Sequence, residues 1–415
     1  MRYDRVMAGV TLQIIGGVGT IGGTKVLIRD GADAVMLDCG LALRPGEDWF
    51  EGPVRPRGIG DLVALGLAPE LPELYAEAGG SPATVFLSHA HLDHVSLLPW
   101  LAERIPVHAT EETALLLRTL RQLDPTTDRP RAYRTMKPGE RVIRGHLAVT
   151  AHLVDHDIPG ACAFSVETRD GSIVYSGDLR LHGRHPERTE AFVRAAAALK
   201  PTILLLEGTR LTPEVEGGAD LSESEVPTLA EEVMAAATGL AVVNTYPRDV
   251  ERNIDLCRAA ARAGRRLAFD SGTAALIRAV AGRLPGGAAV LGEDVSVADI
   301  TQAQREWAIR LGFADLPLLV DLAPKAESSF LQAGGEPFGP FHPGWPLLLR
   351  WLRNFHLGLD PVGCSGHARP ADLKRIAAEI APRTLMPVHS RFPELLSPRA
   401  VLPEEGRVYE VASLS

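Results

Sequence analysis

At 415 residues, with 46% apolar and 23% charged side chains, the chain can bury its own core without disulfides or a structural metal. Its net charge of −9 argues against binding polyanions through bulk charge, so any polyanion site must be a local basic patch or be built on bound cations. Cys39, Cys162, Cys257 and Cys364 form no C-x-x-C pair, which argues against a zinc ribbon or a disulfide framework and fits a reducing cytoplasm; the start MRYDRVMAGV lacks a signal-peptide layout, and no apolar run is long enough for a membrane span.

The first forty residues alternate short apolar runs with glycine turns, VTLQIIGG, TKVLIRDG and AVMLDCG, which predicts an antiparallel meander. TVFLS (84–88) reads as a short buried strand. Val95, Leu97, Leu98 and Leu101 then predict the start of a helix with Asp93 near its N-terminus. LAVTAHLV and GSIVYSGD add strands, ERTEAFVRAAAALK an amphipathic helix, and TILLLEG a further buried strand. Up to residue 207 this order predicts an α+β layered domain. From about residue 226 the texture changes. VPTLAEEVMAAATG, AVVNTYP, DVERNIDLCRAAARAG, RRLAFDS and GTAALIRAVAGR alternate helix and strand, the pattern of a parallel sheet. GGEPFGPFHPGWP (334–346) reads as a loop. It is followed by the helix LLLRWLRNFH, the segment GCSGHA, the helix PADLKRIAAEIA and a strand TLMPV that runs up to His389.

The densest chemistry lies in SHAHLDH. His89 and His91, two positions apart at a strand-to-loop junction, can converge on one point, and Asp93 and His94 on a second point close by. Imidazole and carboxylate donors without thiolate favour Zn²⁺, with Mn²⁺ the alternative. Further donors stand where apolar strands end: His156 in VDHDIPGA, Asp178 in YSGDLR, placed to bridge two ions, and His389 in LMPVHS. One arrangement thus recurs, a buried strand that ends in a metal ligand.

SHAHLDH, together with LDCG, VDHDIPGA, SGDLR and PVHS, resembles the motif series of the metallo-β-lactamase fold. LLLEGT, CSGHA and MPVHS, in that order, resemble motifs A, B and C of its β-CASP branch, which includes ribonuclease J and the nuclease of the mRNA 3′-end cleavage factor. The resemblance covers nearly the whole chain. It implies an α/β fold, the αββα metallo-β-lactamase sandwich with an inserted β-CASP α/β domain. The expected bounds are 1–207 for the first part of the lactamase domain, 208–358 for the insertion and 359–415 for the completion with motifs B and C.

By the same resemblance, His89, His91 and His156 hold one cation, Asp93, His94 and His389 hold a second, and Asp178 bridges them. Two Zn²⁺ are implied, or Mn²⁺. Asp38 matches the family's first aspartate, which supports the site through hydrogen bonds without ligating. His152, four residues before His156, competes for the third motif, and the DH-x-IPGA context decides for His156. The implied function is a cytoplasmic, metal-dependent ribonuclease, endo- and/or 5′-exonucleolytic, with RNA as its partner, no membrane, and a homodimer as one option. Its catalytic residues are expected to be Asp93, Asp178, Glu207 (motif A) and His367 (motif B). In this scheme water activated between two cations attacks phosphorus, and His367, oriented by Glu207, protonates the leaving oxygen. Arg180, Ser365 and His367 are the candidates for contact with substrate phosphates.

GGVGTIGG (16–23) contains G-x-G-x-x-G, but the following TKVLI is a strand rather than a helix, so the segment reads as a glycine turn and not a dinucleotide fingerprint. Arg118, Arg121, Arg129, Arg131, Arg134, Lys137, Arg141 and Arg144 make a basic run, read either as a phosphate contact or as a solvated loop. Three other functions compete. A small-molecule or thioester hydrolase on the same metal core is disfavoured by LLLEGT, CSGHA and the long insertion. A DNA nuclease of the same branch is disfavoured by His389 at motif C, and a non-catalytic RNA-binding scaffold by the full ligand set. The chain stops about 25 residues after motif C, closer in length to compact branch members than to those with a further C-terminal domain.

Overall fold

The computed structural model describes residues 9–41, 49–50, 54–77, 83–124, 131–213 and 221–414. The first eight residues of the N-terminal segment, and Arg129 of the basic run, lie outside the described residues. Two sheets lie face to face. The first runs Val408–Glu410, Thr11–Gly16, Lys25–Asp30, Asp33–Leu37, Thr84–Phe86, Val107–Ala109, Tyr133–Thr135. Its meander is antiparallel, as the glycine turns predict, and its later strands are parallel. The second runs Thr384–Val388, Ile203–Glu207, Gly171–Tyr175, Cys162–Thr168, Leu147–Leu153, Arg141–Arg144.

Alternation along each strand makes the sandwich. Val26, Ile28, Val35 and Leu37 point inward and meet Phe164, Val166, Ile173, Leu205 and Met386 of the facing sheet. Leu27, Met36, Leu204 and Leu206 point outward, under a separate apolar cluster. Helices Glu111–Leu123, Pro186–Leu199 and Pro370–Ile380 supply that cluster with Leu116, Phe192 and Ile376. Each fully buried side chain of this kind contributes about 1.5–3 kcal/mol, so both faces of both sheets are strongly specified.

The third sheet is wholly parallel, in the order Ala288–Val290, Arg266–Phe269, Trp307–Arg310, Ala241–Asn244, Ser329–Gln332, Gly358–Pro361. Helices cover both its faces: Val226–Ala236 and Val250–Arg262 on one, and Trp345–Asn354 with Leu318–Leu322 on the other. The sheet is formed by chain between Ile203–Glu207 and Thr384–Val388, which are themselves hydrogen-bonded neighbours in the second sheet. That closure carries His389 back to residues 89–94. No helix among the described residues is long and apolar enough to cross a membrane.

A buried ionic network ties the third sheet to the sandwich. The Glu223 carboxylate accepts from Arg252 Nε at 2.8 Å and from Arg180 Nη1 at 2.9 Å, with all three side chains at most 3% exposed. Arg180 also donates to Ser365 O at 3.2 Å and Arg252 to Cys364 O at 3.0 Å. Both arginines therefore hold the strand end that leads to His367. Glu223→Gln, which strands part of this buried positive charge, should lower unfolding free energy by about 3–5 kcal/mol, read as a fall in the urea midpoint.

Candidate metal centre

Every candidate ligand leaves the end of a strand or the turn after it. His89 follows Thr84–Phe86, His156 follows Leu147–Leu153, Asp178 follows Gly171–Tyr175, and His389 follows Thr384–Val388 directly. Asp38 and His389 adopt left-handed backbone, with φ of 57° and 53°, as does Gly177 with φ 55° just before Asp178. Such a conformation costs a non-glycine residue on the order of 1 kcal/mol or more, and here it turns the side chain off the sheet and into the site. The stretch after Asp93 is less than a full helix: Leu92–Val95 makes one turn, and Leu98–Trp100, with Pro99 inside it, a tighter one.

Two groups of donors result. The ligand atoms of His89, His91, His156 and Asp178 lie within 4.8 Å of one another, as do those of Asp93, His94 and His389. His91 Nδ1 is 3.1 Å from both His89 Nε2 and His156 Nε2. His389 Nε2 is 3.0 Å from Asp93 Oδ2 and 3.3 Å from His94 Nε2. Asp178 touches both groups, with Oδ2 at 3.2 Å from His94 Nε2, 3.6 Å from His389 Nε2 and 3.7 Å from His89 Nε2. His152 lies apart, bonded to Ser165 Oγ at 2.9 Å, so His156 is the histidine that reaches the cluster.

The outward nitrogens fix which nitrogen faces inward. His89 Nδ1 meets Ser88 Oγ at 2.9 Å, His94 Nδ1 donates to Asp38 Oδ2 at 2.7 Å and His156 Nδ1 to Gly366 O at 2.5 Å, and His389 Nδ1 meets Thr209 Oγ1 at 2.8 Å. His91 turns its Nε2 toward Asp157 Oδ1 at 3.5 Å. Asp38 also accepts from the Ser88 N–H, the Ser88 hydroxyl and the Tyr175 hydroxyl, each at 2.7 Å, so it supports the site from behind. Anchored outer nitrogens of this kind hold metal-ligating rings in one tautomer and one orientation.

Electrostatics favour a cation. Burial keeps the His89, His91 and His156 rings neutral, with His91 lowered to about 3. Burial works against the charged form of His94, yet Asp178, Asp93 and Asp38 outweigh it and raise that ring well above the usual range. Asp93 and Asp178 are buried, and among the described residues no lysine or arginine pairs with either. The Asp178 Oδ1 atom is buried without a hydrogen-bond partner. Buried carboxylates facing inward-pointing imidazoles are a donor set that divalent cations fit.

The glycine-rich segment is the turn between strands that its sequence predicts, and it packs on this centre. A Cβ on Gly22 would lie 2.5 Å from Asp93 Oδ2, and one on Gly40 would lie 1.5 Å from Asp93 O. The Gly23 N–H donates to Asp93 O at 2.9 Å, and buried Lys25 ties the Gly23 and Gly40 carbonyls together at 2.7 and 2.8 Å. Gly22→Ala should displace the Asp93 carboxylate and weaken cation binding about 10–100-fold, measured by competition with a chelating dye.

His367 sits on the open side, with buried Glu207 behind it. Glu207 accepts from the Leu179 N–H at 3.2 Å, the Thr209 N–H at 3.0 Å and His367 Nδ1 at 3.3 Å. His367 is 21% exposed, lies 3.8 Å from Asp178 Oδ2, and stands beside both His156 and His389. Burial disfavours its charged form, but Glu207, then Asp178 and Asp157, raise it to about 9. Ser365 accepts the His367 N–H through Oγ at 3.2 Å and so shapes the turn that carries this ring. Arg180 departs from expectation. Its side chain is 2% exposed and spent on Asp155, Glu223, Ser365 O and His156 O, so it braces the site and does not face substrate.

Several neighbours of the site were not among the expected residues. Asp157, directly after His156, stands against the His91 ring. Gly366 lets it approach, since a Cβ there would lie 2.5 Å from the Asp157 carboxyl carbon. From the third sheet, the Tyr246 ring packs 5.3 Å from His91, and Arg248 donates to Ala90 O. The carboxyl end of the strand Ala241–Asn244 therefore faces the histidine cluster, the edge at which such sheets bind ligands. Adjacency to His156 was the one sequence signal for Asp157, and Tyr246 and Arg248 carried none.

Residues 19–215 match the Metallo-beta-lactamase superfamily. Ribonuclease J of Sinorhizobium meliloti is 26% identical over 410 residues, 92% of this chain and 69% of that protein. Ribonuclease J of Pyrococcus abyssi is 22% identical, over 96% of this chain and 93% of its own length. A crystal structure of a protein of unknown function from Enterococcus faecalis V583 superposes with a TM-score of 0.82 at 27% identity, covering 97% of this chain and all of that one. With this geometry and these relatives, the chain is a hydrolase whose residues 19–215 match the metallo-β-lactamase superfamily, whose clustered His and Asp side chains could hold divalent metal, and which is similar to Ribonuclease J proteins along nearly its whole length.

Proposed function

We propose that this protein is a ribonuclease that hydrolyses RNA phosphodiester bonds at a pair of divalent cations, Zn²⁺ or Mn²⁺. The observation that carries the reading is Asp178, whose carboxylate lies against both ligand groups while His367, held by buried Glu207, stands beside it on the open side. His89, His91 and His156 would hold one cation, Asp93, His94 and His389 the other, and Asp178 both. Cations bound there supply Lewis acidity and lower the pKa of a water to about 7.

The chain's own side chains supply the rest. Glu207 keeps a proton on His367 Nδ1, and its carboxylate favours the charged form of that ring. His367 can then give a proton to the departing sugar oxygen from Nε2, as a general acid. Asp38, Ser88, Thr209 and Asp157 hold the imidazoles in register. The similarity to Ribonuclease J proteins supports RNA over β-lactams and thioesters as the substrate. Labelled RNA, DNA and a β-lactam, each with and without chelator, test the reading. RNA should be cut, and only with metal present; a β-lactam opened while RNA stays intact would overturn it. RNA labelled at either end then distinguishes internal cutting from digestion from the 5′ end.

A further inference from the structure

The stretch from Glu336 to Leu359 contains two arginines, two histidines, three phenylalanines and two tryptophans against one carboxylate, Glu336, in a chain of net charge −9. Its first part is the loop expected from sequence, and that loop is firmly based. Gln332 Nε2 donates to Gly335 O at 2.6 Å and Pro337 O at 2.9 Å, and Asn244 Nδ2 donates to Glu336 O at 2.7 Å. Gly335 presses on Asn244 so closely that a Cβ would lie 1.9 Å from its Oδ1. Asn244 ends its strand, and two residues later Tyr246 packs against His91. The loop therefore rises from the same sheet edge that reaches the metal centre.

From that base Phe338 and Phe341 project into solvent, 48% and 78% exposed. The helix Trp345–Asn354 follows, with Leu347, Arg350 and Arg353 exposed. Exposed aromatic rings on an anchored loop, followed along the chain by exposed arginines, have the makeup of a single-strand nucleic acid surface. The rings offer stacking faces to unpaired bases, and the guanidinium groups neutralise phosphates. Small hydrolysable substrates such as β-lactams would make no use of such a strip.

We propose that Phe338 and Phe341, with Arg350 and Arg353, form a binding surface for single-stranded RNA outside the metal centre, the rings stacking on bases and the arginines meeting phosphates. The proposal deepens the ribonuclease reading and rests on it for the choice of RNA. Stacking requires unpaired bases, so the surface selects single strands over duplex.

The test is fluorescence anisotropy with the full metal-loaded chain and hydrolysis-resistant phosphorothioate RNA, 12 nucleotides long, single-stranded or as a duplex. The double variant Phe338→Ala/Phe341→Ala should bind the single strand roughly tenfold more weakly or worse, with a much smaller change for duplex. Arg350→Ala/Arg353→Ala should flatten the dependence of log affinity on log salt by about 1.4. All four side chains are exposed, so matched thermal melts should show the variants folded. Unchanged single-strand affinity in the phenylalanine variant overturns the proposal. So does unchanged affinity with an altered oligomeric state by light scattering, which would make the strip a contact between copies. If the wild-type protein binds single strands through these residues but cuts no RNA, the surface stands and the nuclease reading falls.

Discussion

Asp178→Asn should cost roughly three orders of magnitude or more in turnover and reduce the number of tightly bound cations. The carboxylate is buried, lies within 3.2–3.7 Å of nitrogens from both ligand groups, and has no lysine or arginine partner among the described residues. An amide has nearly the same shape but no charge. It cannot balance two divalent ions, and Lewis-acid stabilisation worth several kcal/mol is lost with them. The fold should survive, because the sandwich core lies between the sheets and not at their ends. Elemental analysis after dialysis, run beside an activity assay, checks both halves. Full cation content in this variant would remove Asp178 from its bridging place.

His367→Ala should behave differently. Turnover should fall by about 10²–10⁴-fold, the usual contribution of a general acid, while cation content stays at the wild-type level. The ring is the most exposed histidine of the cluster at 21%, and its Nδ1 is committed to Glu207. The histidines of the two ligand groups have their outer nitrogens tied elsewhere, so removing His367 leaves those groups intact. A substrate with a good leaving group, such as a p-nitrophenyl phosphodiester, needs little protonation and should lose far less. If this variant releases cation, His367 is a ligand and not an acid.

The candidate site was legible because most of its donor side chains sit at or just after strand ends, where an apolar run stops at a histidine or aspartate that local sequence displays. The ends of TVFLS, GSIVYSGD and TLMPV are of this kind, and the structure brings their ligands together. What local sequence does not display is pairing across long separations. Arg180, two residues after Asp178, has the position of a phosphate contact. The carboxylate that consumes it, Glu223, lies 43 residues further on. Part of the basic run is spent in the same way: Arg131 donates to the carbonyls of Leu98, Leu101, Ala102 and Ile105, Arg141 pairs with Glu167, and Arg144 faces Asp33. That stretch is also no continuous loop, since Arg118 and Arg121 belong to the helix Glu111–Leu123, capped by Thr110. In the third sheet the helix–strand alternation predicted the parallel architecture. Its short strands, such as Trp307–Arg310 and Ser329–Gln332, have four residues each, too few for an alternating pattern to stand out, and were not among the expected elements.

The most direct measurement is anomalous diffraction from crystals of the metal-loaded protein. Two peaks are expected, one inside His89, His91 and His156 and one inside Asp93, His94 and His389, both in contact with Asp178. A single peak, or peaks away from these side chains, would contradict the paired-cation centre on which the proposed chemistry depends.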